Sequence, residues 1–173
     1  MRDPEALAMH WHAAGAEAKA VRWFVRAAAR ARRALAFDHA AQLYQHALSC
    51  VPADSATARG LVTRLGRALG AGGRGPESAD ALFRAAEGAD AEDRFMLQIE
   101  AAGELLRSGH VERGLAALRD IFRALGLKMP STPRRALIAM LFTRARIRMR
   151  GLAFEPRSRE QIPRRDLLRL EAC

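Results

Sequence analysis

The sequence predicts an all-α protein: a solenoid of helical hairpins with an additional basic helix near the C-terminus. Small, aromatic and leucine residues recur at helical spacing, and Gly or Pro separates the segments that carry them. Few segments alternate apolar and polar residues as strands do. Half of the residues are hydrophobic but only 6% are aromatic, and much of the apolar content is Ala, which suits close packing between helices.

The clearest copy of this pattern runs from Ala40 through Tyr44, Ala47 and Leu48 to Pro52. It contains a small residue, an aromatic residue, a second small residue, a leucine and then a proline that ends the helix. These are the marks of the second helix of a tetratricopeptide-type repeat. The stretch therefore predicts one half of a helical hairpin, and its aromatic side chain is explained by packing between helices.

Caps and breaks set the expected helix limits. Asp3 is the predicted N-cap of the first helix, with Pro4 at its first position, and Asp38 is the predicted cap of the third. Gly126 and Gly151 are expected to end helices. The predicted helices are 5–13, 17–34, 38–50, 55–69, a fifth opening at Pro76, 91–107, 111–125, 134–150 and a last one opening at Pro163.

Weaker copies of the pattern flank the clear one. The marks at Ala40, Ala79 and Gly114 are spaced 39 and 35 residues apart, close to the repeat length of about 34. Such regularity indicates a solenoid, in which each hairpin buries its apolar face on its neighbours. The start is irregular, because Ala20 precedes Ala40 by only 20 residues. The predicted repeat-packing residues are Trp11, Gly15, Ala20, Phe24, Ala40, Tyr44, Ala47, Pro52, Gly66, Ala79, Phe83, Gly109, Gly114 and Leu118.

The net charge of +10 is unevenly distributed. Residues 1–127 contain 17 basic and 15 acidic residues, whereas residues 128–173 contain 12 and 4. We therefore predict repeats over 1–127, and over 128–173 a linker and Arg-rich helices that continue the array and are truncated. Helix 134–150 has three open roles: lying on a membrane surface, contacting nucleic acid, or packing as a terminal helix beneath its Arg stems, which we prefer. Its possible basic surface is Arg144, Arg146, Arg148 and Arg150.

No catalytic, cofactor-binding or metal-binding residue is predicted in this chain. Gly70–Gly75 matches GxGxxG literally, but a helix precedes it, and Glu77 and Asp80 follow it in a position that repels phosphate. We interpret it as a flexible turn between helices. The histidines show no spacing typical of metal ligands. They are His10, His12, His39, His46 and His110.

The cellular compartment is predicted from three features that the sequence lacks: a disulfide framework, a signal segment and a long apolar run. Cys50 and Cys173 form no disulfide framework, which fits a reducing compartment. The N-terminus has no apolar signal segment, and the longest apolar run, Ala136–Phe142, is too short to span a bilayer. We expect a soluble, cytoplasmic protein without a membrane span. Both ends enter or leave helical patterns abruptly, so we also expect a fragment of a longer chain.

Two stretches resemble one family. Residues 105–154, with the linker LKMPSTPRRAL and the basic helix after it, resemble the region downstream of the ATPase module in large bacterial serine/threonine protein kinases. Residues 10–48 resemble the start of the repeats in the same proteins, and also repeats of maltose-regulator and large LuxR-type transcription activators. The kinase glycine loop with its Lys, HRD and DFG are absent from this sequence. The resemblance thus implies ATP and Mg²⁺ only for missing parent domains, and carries over no catalytic residue.

The expected function is a non-catalytic protein-interaction and regulatory scaffold from such a kinase–ATPase, acting in signal transduction. Its expected partner is another protein or the parent's own kinase or ATPase domains. In the second case the scaffold would hold the ATPase closed until a signal arrives. Tyr44 and Arg67 are candidate contacts on a concave face. One alternative is the repeat region of an ATP-dependent LuxR-type activator, and a second is a nucleic-acid-binding module that uses helix 134–150. The sequence indicates no oligomeric state.

Overall fold

The structure is a computed structural model, and it describes residues 3–126, 132–151 and 162. Within those residues it is entirely helical, which confirms the predicted all-α class. Each of the first five helices packs against the helix that follows it. The helices are α1 (Pro4–Ala13), α2 (Glu17–Arg33), α3 (Phe37–Ser49), α4 (Ala56–Ala71), α5 (Gly75–Glu87), α6 (Ala91–Arg107), α7 (Val111–Ala124) and α8 (Pro133–Arg150).

The chain divides into two compact units, the first ending at Leu118 and the second beginning at Arg119. The first unit contains α1 to α6 and the start of α7, and the second contains α8. The sequence-based division at residue 127 stays a prediction. Most of the predicted linker before α8 and the predicted helix that opens at Pro163 lie outside the described residues.

Side-chain caps explain where several helices begin. Asp3 accepts a hydrogen bond from the Glu5 N–H, so the predicted N-cap of α1 is confirmed. Thr132 caps α8 by accepting a hydrogen bond from the Arg135 N–H. Ser55 caps α4 in the same way. These caps fix the starting residue of helices that have little apolar pattern in their first turn.

The predicted cap at Asp38 is wrong. α3 begins one residue earlier, at Phe37, and the N-cap position is held by Ala36, which makes no side-chain cap. Asp38 instead lies inside the first turn, where its negative carboxylate interacts favourably with the positive end of the helix dipole. The preceding tight turn already positions the backbone, so the helix starts without a polar cap.

Four turns between consecutive helices share one geometry. Each has a central residue with a left-handed φ: Gly15 (69°), Leu35 (59°), Gly73 (80°) and Gly109 (83°). The next residue donates its N–H to the carbonyl five residues back, at 2.8 to 2.9 Å, which is the Schellman arrangement that closes a helix. Leu35 adopts this conformation despite its Cβ, and lies exposed. The last three of these turns close the hairpins α2/α3, α4/α5 and α6/α7.

The shared turns define equivalent positions in the three hairpins. In each hairpin a small residue seven positions before the turn centre and another five positions after it are both buried. A Cβ at Gly66 would lie 3.2 Å from the Ser78 carbonyl oxygen, and one at Gly114 would lie 3.3 Å from that of Ala102. The two helices of a hairpin therefore cross where their side chains are smallest. The residues are Ala28 with Ala40, Gly66 with Ser78, and Ala102 with Gly114.

This register moves the middle repeat by one residue relative to the sequence pattern. The position of Tyr44 is taken in the second hairpin by Leu82, which is fully buried, rather than by the predicted Phe83, which is half-buried at the edge of the core. Ser78 likewise takes the place assigned to Ala79, although Ala79 is buried as well. The sequence pattern favoured the aromatic residue, whereas packing selected its aliphatic neighbour.

The first unit has two apolar clusters. One joins α1 to α4 and contains most of the predicted N-terminal packing residues; Trp11 packs against its edge. The other lies around Leu82, Leu97 and Leu105 in α5 and α6. Ala20, Phe24, Ala40, Tyr44 and Ala47 are buried in the first cluster, each 2% exposed or less. Aromatic side chains therefore serve the core of this unit.

Four of the ion pairs between different helices recur at nearly one sequence separation, whereas Asp3 and Arg30, which pair across α1 and α2, are 27 positions apart. The residues of the four pairs stand 33 to 36 positions apart, which is close to the length of one hairpin with its turns. A constant separation is expected when successive hairpins stack in a constant register. The pairs are Glu5 with His39, Asp38 with Arg74, Arg67 with Glu100, and Asp80 with Arg113.

Candidate protein-binding groove

Three surface grooves on the first unit are large enough to hold part of a partner chain. One lies along the end of α3, α4 and α5, with a volume of about 610 Å³. A second lies among α1, α2 and α3, with about 510 Å³. The third lies between α2 and α4, with about 480 Å³. Since their volumes are similar, the charges that line them distinguish them.

The groove among α1, α2 and α3 is already compensated. Both of its acidic residues already have partners: Arg30 Nη1 lies 3.7 Å from Asp3 Oδ1, and His39 Nε2 lies within hydrogen-bond distance, 2.9 Å, of Glu5 Oε2. A charged partner would have to break these pairs before it gained its own. This groove is therefore a poor candidate for a charged ligand.

The largest groove is mixed in sign. Arg59 and Arg84 line it together with Asp54 and Glu87, so its formal charges cancel. Leu48, Val51 and Val62 form part of its wall, so its lining selects no particular charge. It carries no distinctive recognition chemistry.

The α2–α4 groove has charges of one sign only. Arg22, Arg26 and Arg64 line it, and no acidic residue does. Arg22 and Arg26 stand one helical turn apart on α2 and therefore face the same side. Its remaining lining residues are small or apolar, or carry a hydroxyl: Val21, Val25, Ala56, Thr57, Gly60 and Leu61.

The sequence places these arginines outward for a simple reason. The apolar face of α2, which includes Ala20, Phe24 and Ala28, is buried, so residues offset from it must face solvent. Arg22 and Arg26 lie on that exposed side. The packing that builds the hairpin thus also orients the basic wall of the groove.

The groove arginines are not neutralised by acidic neighbours. Arg22 and Arg64 make no ion pair within residues 3–126, 132–151 and 162. The Arg26 guanidinium lies 4.8 Å from the centre of the Trp23 ring, a cation–π contact that holds the side chain but leaves its charge uncancelled. Three uncompensated positive charges therefore face one open groove.

Gly60 gives this groove an open floor. It lies inside α4, where glycine is about 1 kcal/mol less favourable than alanine. A Cβ at Gly60 would meet nothing within 4 Å, whereas Cβ atoms at Gly66 and Gly70 on the same helix would meet atoms at 2.9 to 3.2 Å. Packing within the chain therefore explains the other two glycines and leaves Gly60 unexplained.

Neither candidate contact singled out from the sequence is free to bind. Tyr44 is 2% exposed, so the prediction that it lines a binding surface is wrong. Arg67 makes a bidentate ion pair with Glu100, at 2.9 Å for both closest contacts. The hydrogen bond to Glu100 raises the pKa of Arg67 above its ordinary value. The positive charge of Arg67 is therefore already paired with a carboxylate of the same chain.

The glycine-rich segment serves helix packing. Gly70 is still in α4 and Gly75 is the first residue of α5, so the turn is shorter than predicted and comprises residues 72–74. A Cβ at Gly75 would lie 2.4 Å from the Ser108 Cβ, and one at Gly70 would lie 2.9 Å from the Glu104 carboxyl carbon. These glycines allow α6 to approach, which accounts for the pattern without a nucleotide.

The histidines and the cysteine do not assemble into a reactive centre. His39 is paired with Glu5, while His46 stacks on Phe24 with ring centres 5.5 Å apart. Burial raises the pKa of Cys50, whose Sγ lies 3.3 Å from His12 Nδ1 and donates to the His46 carbonyl. Across the described residues, no group of three or more His, Cys, Asp or Glu side chains could hold a metal ion.

The basic helix α8 is exposed along its whole length. Leu137 is 53% exposed and Phe142 is 70% exposed, so the predicted burial of its apolar stripe is not observed. Apolar and basic residues are separated along the helix: residues 136–142 are apolar, and the arginines precede or follow them. An interfacial membrane helix separates them across its faces instead, so α8 does not fit that role.

No protein-family model matches the chain, and no curated protein or solved structure does either. None of the helices within the described residues is long and apolar enough to cross a membrane. The groove residues Arg22, Arg26, Gly60 and Arg64 were not identified from the sequence. Two signals could have found them: arginines one turn apart opposite the apolar face of a helix, and a glycine inside a helix with no packing role.

Proposed function

We propose that the chain is a non-catalytic protein-interaction scaffold, and that its α2–α4 groove binds a segment of a partner protein. The observation that carries this proposal is the single sign of the groove's charge, beside two neighbouring grooves that are lined by acidic as well as basic residues. A surface whose charges all have one sign selects partners that carry the opposite charge.

The helical hairpins support this proposal. Three hairpins share the same turn and the same small-residue crossing, and consecutive hairpins are joined by ion pairs at a near-constant separation. Stacked hairpins of this kind present extended surfaces to other proteins. We propose that α2 to α7 form such a tetratricopeptide-like array and that α8 is an additional basic helix.

We further propose that the array comes from a large bacterial serine/threonine protein kinase with an ATPase module, where it acts in signal transduction. The support is the resemblance of residues 105–154 and 10–48. The partner segment is then part of another protein or of the parent's own kinase or ATPase domain. An upstream kinase domain in the complete open reading frame is the expected result, whereas a helix-turn-helix domain downstream with no kinase upstream would favour the activator alternative.

An unbiased selection tests the scaffold proposal. The purified chain is used to select from a display library of random peptides, and selected peptides are resynthesised and titrated by fluorescence anisotropy. We expect saturable binding that is weakened when Arg22 and Arg64 are both replaced by Glu. Arg32→Glu is the matched control, because Arg32 is an exposed arginine on α2 that lines none of the three grooves.

Two results would overturn the proposal. One is a selection that yields no saturable binder over repeated rounds. The other is specific turnover of ATP or a phosphoacceptor by the chain itself, which would show that it is not merely a scaffold.

A nucleic-acid-binding function is the second candidate, favoured by one observation. Six arginines and no acidic residue lie on α8, and every one of its residues is exposed. Affinity for single- and double-stranded DNA is measured across a salt series, with Arg144, Arg146, Arg148 and Arg150 replaced by Gln as the test variant. Affinity that falls steeply with salt and is lost in this variant supports the candidate, and salt-independent or absent binding rejects it.

A further inference from the structure

We infer that the α2–α4 groove binds an acidic peptide segment, in which one apolar side chain lies between carboxylates. This inference rests on the proposed function and deepens it, because it names the chemistry of the partner. It is carried by three features of one site: the arginines, the apolar floor and the open glycine.

The charge of the groove selects an anionic occupant. Arg22, Arg26 and Arg64 are exposed, and the groove lining contains no carboxylate that would compete with a ligand. Guanidinium groups form two parallel hydrogen bonds with a carboxylate, which gives direction as well as attraction. Arg67 shows this behaviour on the same helix, where it holds Glu100 through both Nε and Nη2. The groove therefore offers the same chemistry without its acidic partner.

The floor of the groove selects an apolar side chain between the charges. Val25 is half-buried, Val21 and Leu61 are buried, and all three line the groove. Gly60 adds an open place on α4, since a Cβ there would meet nothing within 4 Å. A peptide backbone can approach a helix closely only where no side chain intervenes. An aliphatic side chain over this floor removes apolar surface from water on both partners.

The same features disfavour nucleic acid. Proteins that bind single strands combine positive grooves with free aromatic faces on which bases stack. Trp23, whose ring contacts the groove residue Arg26, is half-buried and is already covered by the Arg26 guanidinium, and no aromatic residue lines the groove within the described part of the chain. The floor is aliphatic, so it offers no stacking surface.

The test uses the full chain and synthetic probes. The first probe is a short fluorescein-labelled peptide with one leucine between two runs of aspartate and glutamate. The second replaces each acid by its amide, and the third replaces the leucine by glycine. The fourth is a short single-stranded oligonucleotide of equal net charge. Binding is followed by fluorescence anisotropy at physiological ionic strength and at higher salt.

We expect the acidic leucine peptide to bind at least about tenfold more tightly than its amide and glycine counterparts. The double variant Arg22→Glu/Arg64→Glu should weaken it by a factor of about ten or more, and Arg22→Lys/Arg64→Lys by less. Arg32→Glu should leave the affinity within about twofold. Gly60→Leu fills the floor and should weaken binding without changing any charge, while circular dichroism reports whether each variant folds.

Several outcomes would overturn the inference. They are equal binding of the acidic peptide to wild type and to the folded double-Glu variant, no preference for the acidic over the amide peptide, and tighter binding of the oligonucleotide than of the peptide with the same dependence on Arg22 and Arg64. If the unbiased selection yields binders that lack acidic residues or map elsewhere, the scaffold proposal stands and this inference fails. If that selection yields no binder, the proposed function itself fails.

Discussion

The two halves of α4 present a clear contrast. In the C-terminal half, Gly66 is closed over by Leu82 of α5 and Gly70 by Glu104 of α6, and Arg67 is held by Glu100. In the half that faces α2, Gly60 is open and Arg64 has no ion pair within the described chain. The same residue types therefore serve packing in one half and remain available in the other. The candidate site is therefore marked by an arginine without an ion pair and a glycine without a packing neighbour, and not by residue type alone.

The largest expected effect tests the close packing of α5 on α6. Gly75→Ala places a Cβ 2.4 Å from the Ser108 Cβ and 3.0 Å from the Glu104 carbonyl oxygen, so α6 must move away. We expect the free energy of unfolding to fall by about 2 kcal/mol, measured by urea denaturation with circular dichroism. Wild-type stability in this variant would show that α5 and α6 are less closely packed than the contrast requires.

A second change tests the crossing of α4 and α5. The Ser78 hydroxyl is fully buried, and Oγ has no hydrogen-bond partner in the structure of the described residues. Ser78→Ala should raise the free energy of unfolding by about 1 kcal/mol, because it removes an unsatisfied polar group. Chemical denaturation measures this. Ser49→Ala is a control at an exposed position, and a destabilised Ser78→Ala would mean that the hydroxyl is satisfied.

The open half predicts the opposite response to an added methyl group. Gly60→Ala meets no neighbour and improves helix propensity, so thermal and urea unfolding should show a gain of about 1 kcal/mol. The variant pairs naturally with Gly75→Ala, since the same substitution is expected to change stability in opposite directions. A loss of stability in Gly60→Ala would mean that the added methyl group contacts a neighbouring group, and the argument for an open floor would fail.

The arginines of α4 provide a matched pair. Arg67→Gln removes a bidentate ion pair whose partner, Glu100, is 30% exposed, and should cost about 0.5 to 1 kcal/mol at low salt. Arg64→Gln should change stability by less than about 0.5 kcal/mol. The difference between the two should shrink as salt is raised. Equal effects would contradict the assignment of Arg67 to structure and Arg64 to the groove.

The smallest expected effect depends on pH. The backbone N–H of Glu77 and then the Arg74 side chain lower the pKa of the Glu77 carboxyl. Its contribution to stability is therefore present above the unfolded-state pKa and lost as pH falls through the lowered folded-state value. Glu77→Gln should be slightly less stable than wild type at neutral pH, and the difference should vanish in acid. A stability difference that grows in acid would contradict the lowered folded-state pKa of Glu77.

Much of the fold was predictable because local rules decide it. Asp3, Thr132 and Gly126 mark helix limits through capping and left-handed turns, and these limits depend on a few adjacent residues. The Asp38 cap was wrong, and Phe83 packs at the edge of the core instead of at the position equivalent to Tyr44, for a shared reason. Each residue had the right type locally, but the Schellman turn before α3 and the register of the α4/α5 hairpin assigned the role to a neighbour.

The candidate site was beyond the reach of local rules. Arg22, Arg64 and Arg67 are equivalent by residue type and by their place on exposed helix faces. Only the distance to an acid on another helix separates them, and that distance arises from the packing of the helices against one another. Gly60 differs from Gly66 in the same way, since the presence of a neighbour across the helix is a property of packing.

The sequence by itself therefore determined the helical class, most helix limits and three of the six small residues at which hairpins cross, namely Ala40, Gly66 and Gly114. These follow from the helical period, from capping chemistry and from the need to bury an apolar face. Tertiary structure decided which charges are compensated, which glycine is open and which groove remains available. Compensation depends on pairs of residues more than thirty positions apart, and openness depends on contacts between helices such as that of Gly66 with Leu82. Only the packing of the helices against one another brings such residues within contact distance.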